Sequence, residues 1–585
     1  MSLTSSLAAL QGRDDLMAYG ADKGLMLFAL QLQFGIQDID SVAAVALTDG
    51  SNDKKCDLVY VDRDSGIIVL AQGYCAQDLS KKEAPANKAS DLNTAATWLL
   101  TGDTEKLPEV LQSAALEVRD ALAQDQITNF YIWYNHNLPE SDNVKSELDQ
   151  VVATTSGILK TNFSRASVTS IVAQEIGRSR LEELYRRAQA PIIVSQEFTL
   201  KVPGGFEIGG DKWKAYCTSV SGRWLRDLWQ DHQLDLMSPN VRGYLGIVRS
   251  ERNINYGIKT TARENPARFW IYNNGLTILT NKYVVRQDGA DLYLDISGVG
   301  VINGGQTTGS LGTLNGSDTE NLDEVQVMAR FVSCSDPGVL GEIVKYNNTQ
   351  NKVEATDFRS KDPVQERLRT EFADIPEADY RGGRRGGIRD AIERSKNLLP
   401  DNTVAQALAA FHGKPNIAYN ETRRIWEEDA VYASIFSEKT TAGHVVFAFS
   451  LQRAIEEIKR DLSRMDDSER TAPQRRQLTF LRKRGSISLL VTAIAESMES
   501  ITGNVIADRW SLAFRDNCSP KIAAERWNGP ILALLPFVNQ LSGAADNDLK
   551  SNDRVREAVE RFQSMAEATV EANSQIYGEF ASHLS

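Results

Sequence analysis

At 585 residues the chain is too long for one hydrophobic core, and about two to four domains are expected. Its 42% hydrophobic and 24% charged residues are ordinary for soluble globular protein. A net charge of −13 argues against a broad basic coat on nucleic acid, although a local basic cleft stays open. The five cysteines, Cys56, Cys75, Cys217, Cys334 and Cys518, form no close pair, which argues against a disulfide scaffold or a two-pair zinc site and suits a reducing cytoplasm. No two of the five histidines lie four apart, so a helical histidine metal site is not expected. The start lacks a basic region followed by an apolar run, and no stretch approaches the roughly 18 apolar residues of a membrane span. A cytoplasmic protein without membrane attachment is the expectation.

In chain order, GLMLFALQLQF (24–34) reads as a buried or amphipathic helix. CDLVYVD and IIVLAQGY, joined by the turn RDSG, read as a β-hairpin. Residues 89–100 and 109–122 carry helical patterns, and ITNFYIWYN (127–135) a strand pattern. These make an α/β unit over residues 1–150. Residues 151–215 are expected as a connector with a peripheral arginine-studded helix at 177–189. Strands and helices alternate over a core domain at 216–436, where VQVMARF shows the period of two of a half-buried strand. Residues 437–585 read as all-helical, with helices at 445–462, 487–498 and 553–577 that either cap the central domain or form a homo-oligomer seam.

The hairpin carries the first candidate site. Asp57 opens its first strand behind the acidic, glycine-bearing turn of Asp49, Gly50 and Asp53, and Gln72 lies near the end of its second. The pattern resembles nucleases of the restriction-endonuclease fold, in which an acid and an acid or Gln on paired strands hold magnesium and Lys follows two positions on. There the metal activates water and the lysine stabilises phosphate charge. The likeness implies Asp57 and Gln72 as the catalytic pair and Asp57 as the metal ligand. Tyr74 occupies the lysine position, and tyrosine has no ammonium charge at neutral pH. Lys81, Lys82 and Lys88 follow in sequence.

A second candidate site lies between Asn240 and Leu368, in the pieces NVRGYLG, NPARFWIYNNGLTIL, VINGGQTTGSL and YNNTQNKVEATDFRS. Carboxamides both donate and accept, so they satisfy one another, the backbone or a base edge. They stand at the ends of apolar runs, where clefts form in α/β folds. Asn-Gly is also the commonest plain turn signal. Three amide clusters with Arg242, Arg330 and Arg359 nearby favour a nucleic-acid or nucleotide pocket. Its candidate residues are Asn240, Arg242, Asn273, Asn274, Asn303, Gly304, Gly305, Gln306, Asn347, Asn348, Gln350, Asn351 and Arg359. Gly304 and Gly305 permit close approach of a backbone to phosphate.

These four segments, in this order, resemble the abortive-infection phage-resistance (AIPR) family of bacteria and archaea. The resemblance extends toward Phe436 through VYASIF. It implies an antiviral role, and it fits a nuclease-like N-terminal domain in which Asp57 and Gln72 remain while Tyr74 departs from the pattern. NGGQTTGSL is also similar to the Asp-Gly-Gln-Gln-Arg-type motif of nucleotide-binding restriction subunits with a ParB/sulfiredoxin-like fold, which implies an NTP as a possible ligand. Asn303 and Thr307 replace that motif's charged residues. The fold expected is thus a restriction-endonuclease-like α/β domain, a ParB/sulfiredoxin-like α/β domain and an all-α C-terminal region.

YRGGRRGGIRD (380–390) reads either as a phosphate-tracking loop through Arg384 and Arg385 or as a surface loop paired to acids. RTAPQRRQLTFLRKR (470–484) reads as a helix connector with a solvated face. Trp224, Trp229, Trp270 and Trp426 read as core. Three functions remain open: a magnesium-dependent nuclease acting on DNA or RNA, a non-enzymatic sensor of a phage component or co-encoded protein, and a nucleotide-dependent switch.

Overall fold

A computed structural model describes residues 4–48, 53–166, 168, 170–189, 192, 194–232, 236–237, 249–336, 339–340, 342–343, 347, 356, 359–360, 362–383, 397–466, 468–546 and 549–585. Four helices lead in: α1 (Ser5–Gln11), α2 (Asp14–Met17), α3 (Ala21–Phe34) and α4 (Ile39–Ala46). The hairpin follows as β1 (Leu58–Asp62) and β2 (Ile67–Tyr74), then α5 (Ala86–Thr101), α6 (Glu109–Ala123), β3 (Asn129–His136), α7 (Asp142–Asn162), β4 (Ser170–Ile176) and α8 (Arg178–Gln189). The sheet runs β1-β2-β3-β4, antiparallel at β1–β2 and parallel at β2–β3 and β3–β4.

Both faces of this sheet are covered. Ile68, Leu70, Phe130 and Ile132 pack with apolar residues of α5, α6 and α7. Ile67, Val69, Tyr131 and Trp133 pack with α1, α3, α4 and α8. Double burial explains why β2 and β3 read as continuous apolar runs. The segment expected as a connector is divided instead: β4 completes this sheet, and the residues after it start the next one. Its half-exposed strand is short and lies between α7 and α8, whose helical patterns dominate that stretch of sequence.

The second sheet is built from β5 (Val194–Val202), β6 (Phe206–Gly209), β7 (Trp213–Ser221), β8 (Leu276–Leu279), β9 (Lys282–Asp288), β10 (Asp291–Asn303) and β11 (Gln326–Cys334). Its order is β5-β10-β8-β11-β7-β6, with β9 also on β10. One face packs on α9 (Gly222–His232), α10 (Arg249–Glu264) and α12 (Gly305–Gly312), with the short α11 (Phe269–Tyr272) at the side.

The helical part begins earlier than residue 437. Leu368, Phe372, Val404, Leu408 and Trp426 share one core with Phe447, Leu490 and Trp527, so α13 (Pro363–Phe372) and α14 (Asp401–Phe411) belong to it. Its longer helices continue as α15 (Ala442–Arg464), α16 (Ala472–Leu481), α17 (Ser486–Glu496), α18 (Pro520–Leu534), α19 (Asn552–Ala568) and α20 (Ser574–Ser582). The last two were expected as one helix; a turn at 569–573 divides them. Trp527 anchors the centre, with ring centroids 4.7 Å from Phe447 and 4.5 Å from Phe580. None of the described helices is long and apolar enough to cross a membrane.

The first sheet's unit docks on this helical core. Arg453 pairs with Asp38 and Glu456, Arg484 lies 2.9 Å from Glu117, and Lys550 lies 3.2 Å from Asp120. The basic run 470–484 is therefore not a plain solvated face. Arg470 and Arg484 are buried, and Arg470 donates to the Leu462, Ser463 and Met465 carbonyls.

His412 and His444 meet Nε2 to Nε2 at 2.9 Å. His444 Nδ1 lies 2.9 Å from the Leu512 carbonyl and must donate to it, so its Nε2 accepts from His412. Burial, reinforced by the His444, Arg509 and Lys414 charges, holds the His412 pKa down to about 3, and burial holds that of His444 to about 4. An unfolded histidine binds its proton near pH 6.5. Below that pH the unfolded chain binds more protons than the folded one, so stability falls as pH drops from about 6.5 toward 4. Melting temperatures measured across that window should decline steadily. In a His412→Gln, His444→Gln double variant the decline should be shallower.

Candidate functional site

The C-terminal ends of β2, β3 and β4 form one edge of the first sheet. Side chains alternate along a strand and paired residues share a face. Leu58 pairs with Ala71, which sets Asp57 beside Gln72. Gln72 pairs with Tyr134, Tyr134 with Glu175, and Tyr74 with His136. Asp57, Gln72, Tyr74, Tyr134, His136 and Glu175 thus gather on the α5–α7 face. The turn residues Asp49 and Gly50 lie outside the described residues.

Asp57 Oδ2 accepts the Gly73 N–H at 2.7 Å. Gln72 is 4% exposed, and its Oε1 is buried without a hydrogen-bond partner among the described residues. A buried acceptor left unpaired costs about 1–3 kcal/mol, so it marks a place where a donor or cation belongs. The N-terminus of α5 closes over this edge: Tyr134 Oη donates to the Pro85 carbonyl at 3.3 Å, and Lys88 Nζ sits 5.5 Å from the Tyr74 ring centroid. Burial, with Tyr74, Glu175 and Asp91 nearby, raises the Tyr134 pKa and keeps that hydroxyl protonated. His136 Nε2 lies 2.9 Å from Glu175 Oε1, and His136 Nδ1 accepts the Leu138 N–H at 3.3 Å. His136 is wholly buried, so it organises the edge and does not reach a substrate.

Hard oxygen donors suit magnesium, which commonly takes one or two protein oxygens and completes its shell with water and phosphate. Asp57 and the orphaned Gln72 Oε1 fit that donor set. Among the described residues no group of three His, Cys, Asp or Glu side chains gathers as a metal cluster.

The amide-rich segments converge in part. One row across the second sheet joins Asn303 to Thr277 and Thr277 to Arg330. Arg330 Nη2 donates to Thr277 Oγ1 at 2.7 Å and to Asn347 Oδ1 at 2.9 Å. Asn273 Nδ2 donates to Thr307 Oγ1 at 2.9 Å, and Asn273 Oδ1 accepts the Gly275 N–H at 2.8 Å. Much of this amide capacity is therefore spent on the fold. Gly304 has φ +91°, and a Cβ there would stand 2.3 Å from Leu276 Cδ2 and 2.9 Å from the Gly275 carbonyl. Its glycine serves the close packing of β8 against the start of α12 and not, on that side, the approach of a ligand. Gly305 is buried inside α12, Gln306 is half-buried and Asn274 is exposed.

Arg359 stands apart from these amides. It donates to the Trp426 carbonyl at 3.0 Å and to Asp429 at 2.6 Å, with its guanidinium 4.4 Å from the Tyr432 ring centroid. Asn240, Arg242, Asn348, Gln350, Asn351, Arg384 and Arg385 lie outside the described residues. The loop that leads to the last two is anchored, since Gly382 and Gly383 donate to Asp401 at 2.9 Å each.

Trp224, Trp229 and Trp426 lie in or against the cores, whereas Trp270 does not. It is 42% exposed, beside Ile271 and Tyr272 at 72% and 61%. A four-residue helix has only one turn with which to bury side chains, and α11 turns Phe269 inward. The exposed aromatic strip adjoins Asn273 and Arg330's sheet, a placement that the apolar run FWIY conceals.

No curated protein and no solved structure matches this chain. The family described as AIPR protein matches residues 237–513, from the second sheet well into the helical core, and that part of the chain is an AIPR region.

Proposed function

We propose that this chain is a phage-defence effector whose N-terminal α/β unit is a magnesium-dependent nuclease. The match of residues 237–513 to the AIPR family supports the defence role. The observation that carries the nuclease reading is the buried, unpartnered Gln72 Oε1 next to Asp57 at the C-terminal edge of parallel strands, where α/β folds place ligands.

Asp57 and Gln72 would hold the magnesium ion, which when bound supplies an activated water and neutralises phosphate charge. Asp57 is oriented by the Gly73 amide. Lys88, reaching over Tyr74 from α5, brings the ammonium that the strand lacks. Tyr134, kept protonated, donates to the α5 N-terminus and fixes the helix from which Lys88 projects. The exposed Trp270 and Tyr272 rings and Arg330 offer stacking faces and a cation to a nucleic-acid strand.

Purified protein incubated with plasmid DNA, single-stranded DNA and RNA should cut at least one of them with magnesium and not with EDTA. Asp57→Ala should abolish the cutting. Activity equal in wild type and Asp57→Ala, or absent from both, removes the nuclease assignment. A second reading, a sensor without catalysis, draws on the exposed aromatic strip beside α11. Nucleic-acid binding that survives Asp57→Ala and falls when Arg384 and Arg385 are replaced favours it.

A further inference from the structure

At the far end of the β1–β2 hairpin from Asp57, a cavity of about 760 Å³ opens between the first sheet's unit and the helical core. That volume is in the range of small-molecule sites. The hairpin turn 62–65 forms one wall, α15 another, and the segment 482–488 a third. Gln452, Glu456 and Lys459 of α15 all line it, and their spacing puts them on one helix face.

Acids and cations are equal in number along this lining, and most of the cations are paired: Arg63 with Asp120, Arg423 with Glu427, Arg482 with Glu109 and Lys483 with Asp546. Arg484 is matched by Glu117, and Tyr419 Oη also donates to Glu117 at 3.2 Å. Glu456 is occupied by Arg453, Ser41 and Gln452. Lys459 has no hydrogen bond or ion pair among the described residues, and burial, with Arg484 and Arg482 close by, lowers its pKa to about 7. Next to it α17 begins at Gly485 (φ +74°) without a side-chain cap, and Gly485 to Ser488 face the cavity. An uncapped helix N-terminus beside Lys459 is a phosphate-binding arrangement.

A second, independent feature narrows the ligand. Gln452 is 5% exposed; its Nε2 donates to Glu456 at 3.0 Å, while its Oε1 is buried with no hydrogen-bond partner among the described residues. The cavity therefore offers an unmatched acceptor as well as an unmatched cation. Inorganic phosphate answers only the cation. Tyr60 and Trp426 add aromatic surface to the lining.

We infer that this cavity binds a nucleotide, its phosphate on Lys459, Arg482 and the α17 N-terminus, and a ribose hydroxyl or base N–H on Gln452 Oε1. The hairpin turn that lines the cavity is continuous with the strands bearing Asp57 and Gln72, so occupancy bears on the other candidate site.

Calorimetric titration of the full chain with ATP, GTP and inorganic phosphate tests the inference. At least one nucleotide should bind, and at least tenfold more tightly than phosphate. Lys459→Gln should weaken that binding at least tenfold. Gln452→Leu should also weaken it, with a melting temperature at or above wild type because an unsatisfied acceptor has gone. Absence of nucleotide binding, phosphate binding as tightly as the nucleotides, or affinity unchanged in folded Lys459→Gln and Gln452→Leu proteins each overturns the inference.

Discussion

Replacing Lys88 by alanine should lower the rate of nucleic-acid cleavage by about 10²–10³-fold, the usual effect of removing one preorganised group from a developing charge. The ammonium reaches the edge from α5, 5.5 Å over the Tyr74 ring centroid, and stands where the strand itself has no cation. Folding should hardly suffer, since a cation–π contact at a partly exposed position contributes about 0.5–1 kcal/mol. The relocation can be reversed. Tyr74→Lys in the Lys88→Ala background returns the charge to the strand and should recover much of the lost rate. Single-turnover cleavage of one labelled substrate by the three proteins measures both effects. Equal rates in wild type and Lys88→Ala would assign the charge to another group.

The largest stability loss is expected from Arg453→Leu. Arg453 joins Asp38, Glu456 and Ser41 where α4 meets α15, and Thr403 also donates to Asp38. Side-chain exposures of 14%, 10% and 7% for Arg453, Asp38 and Glu456 mean that screening by water is slight. Removing the arginine leaves two acids buried without their cation, a change that typically costs about 3–5 kcal/mol. Burial and the Asp38 charge raise the Glu456 pKa in spite of Arg453, so the loss should be smaller at acidic pH, where protonation relieves the unpaired charge. Arg453→Lys keeps a charge and loses the fork, and should fall between. Urea unfolding followed by tryptophan fluorescence gives the ordering. A loss below about 1 kcal/mol, the level of a surface pair, would mean that the two parts are held by other contacts.

The sequence disclosed what depends on near neighbours. The turn RDSG set the β1–β2 pairing, and the hairpin put Asp57 beside Gln72 as expected. What depends on distant pairing stayed hidden. Glu175 meets His136 only because β4 runs parallel to β3, and the short, half-exposed β4 lies between helical segments that mask it. Arg484 reads as surface charge until Glu117, far earlier in the chain, comes to meet it. Trp270 misled in the opposite direction, since an apolar neighbourhood in sequence did not become burial. The amide clusters identified the family well and the chemistry poorly: Asn273 serves a turn, Asn347 accepts from Arg330 of β11, and Arg359 binds a different core. Gly304 illustrates the same confusion, because a glycine needed for packing and one needed for a phosphate look alike in sequence.

The metal itself gives the most direct test of the Asp57–Gln72 edge. Manganese can report for magnesium, and its electron paramagnetic resonance signal separates bound from free ion. Wild-type protein should bind the ion, Asp57→Ala should lose it, and Gln72→Leu should weaken it while melting no lower than wild type. Failure of the wild type to bind manganese, or equal binding by all three proteins, would contradict a metal site at this edge.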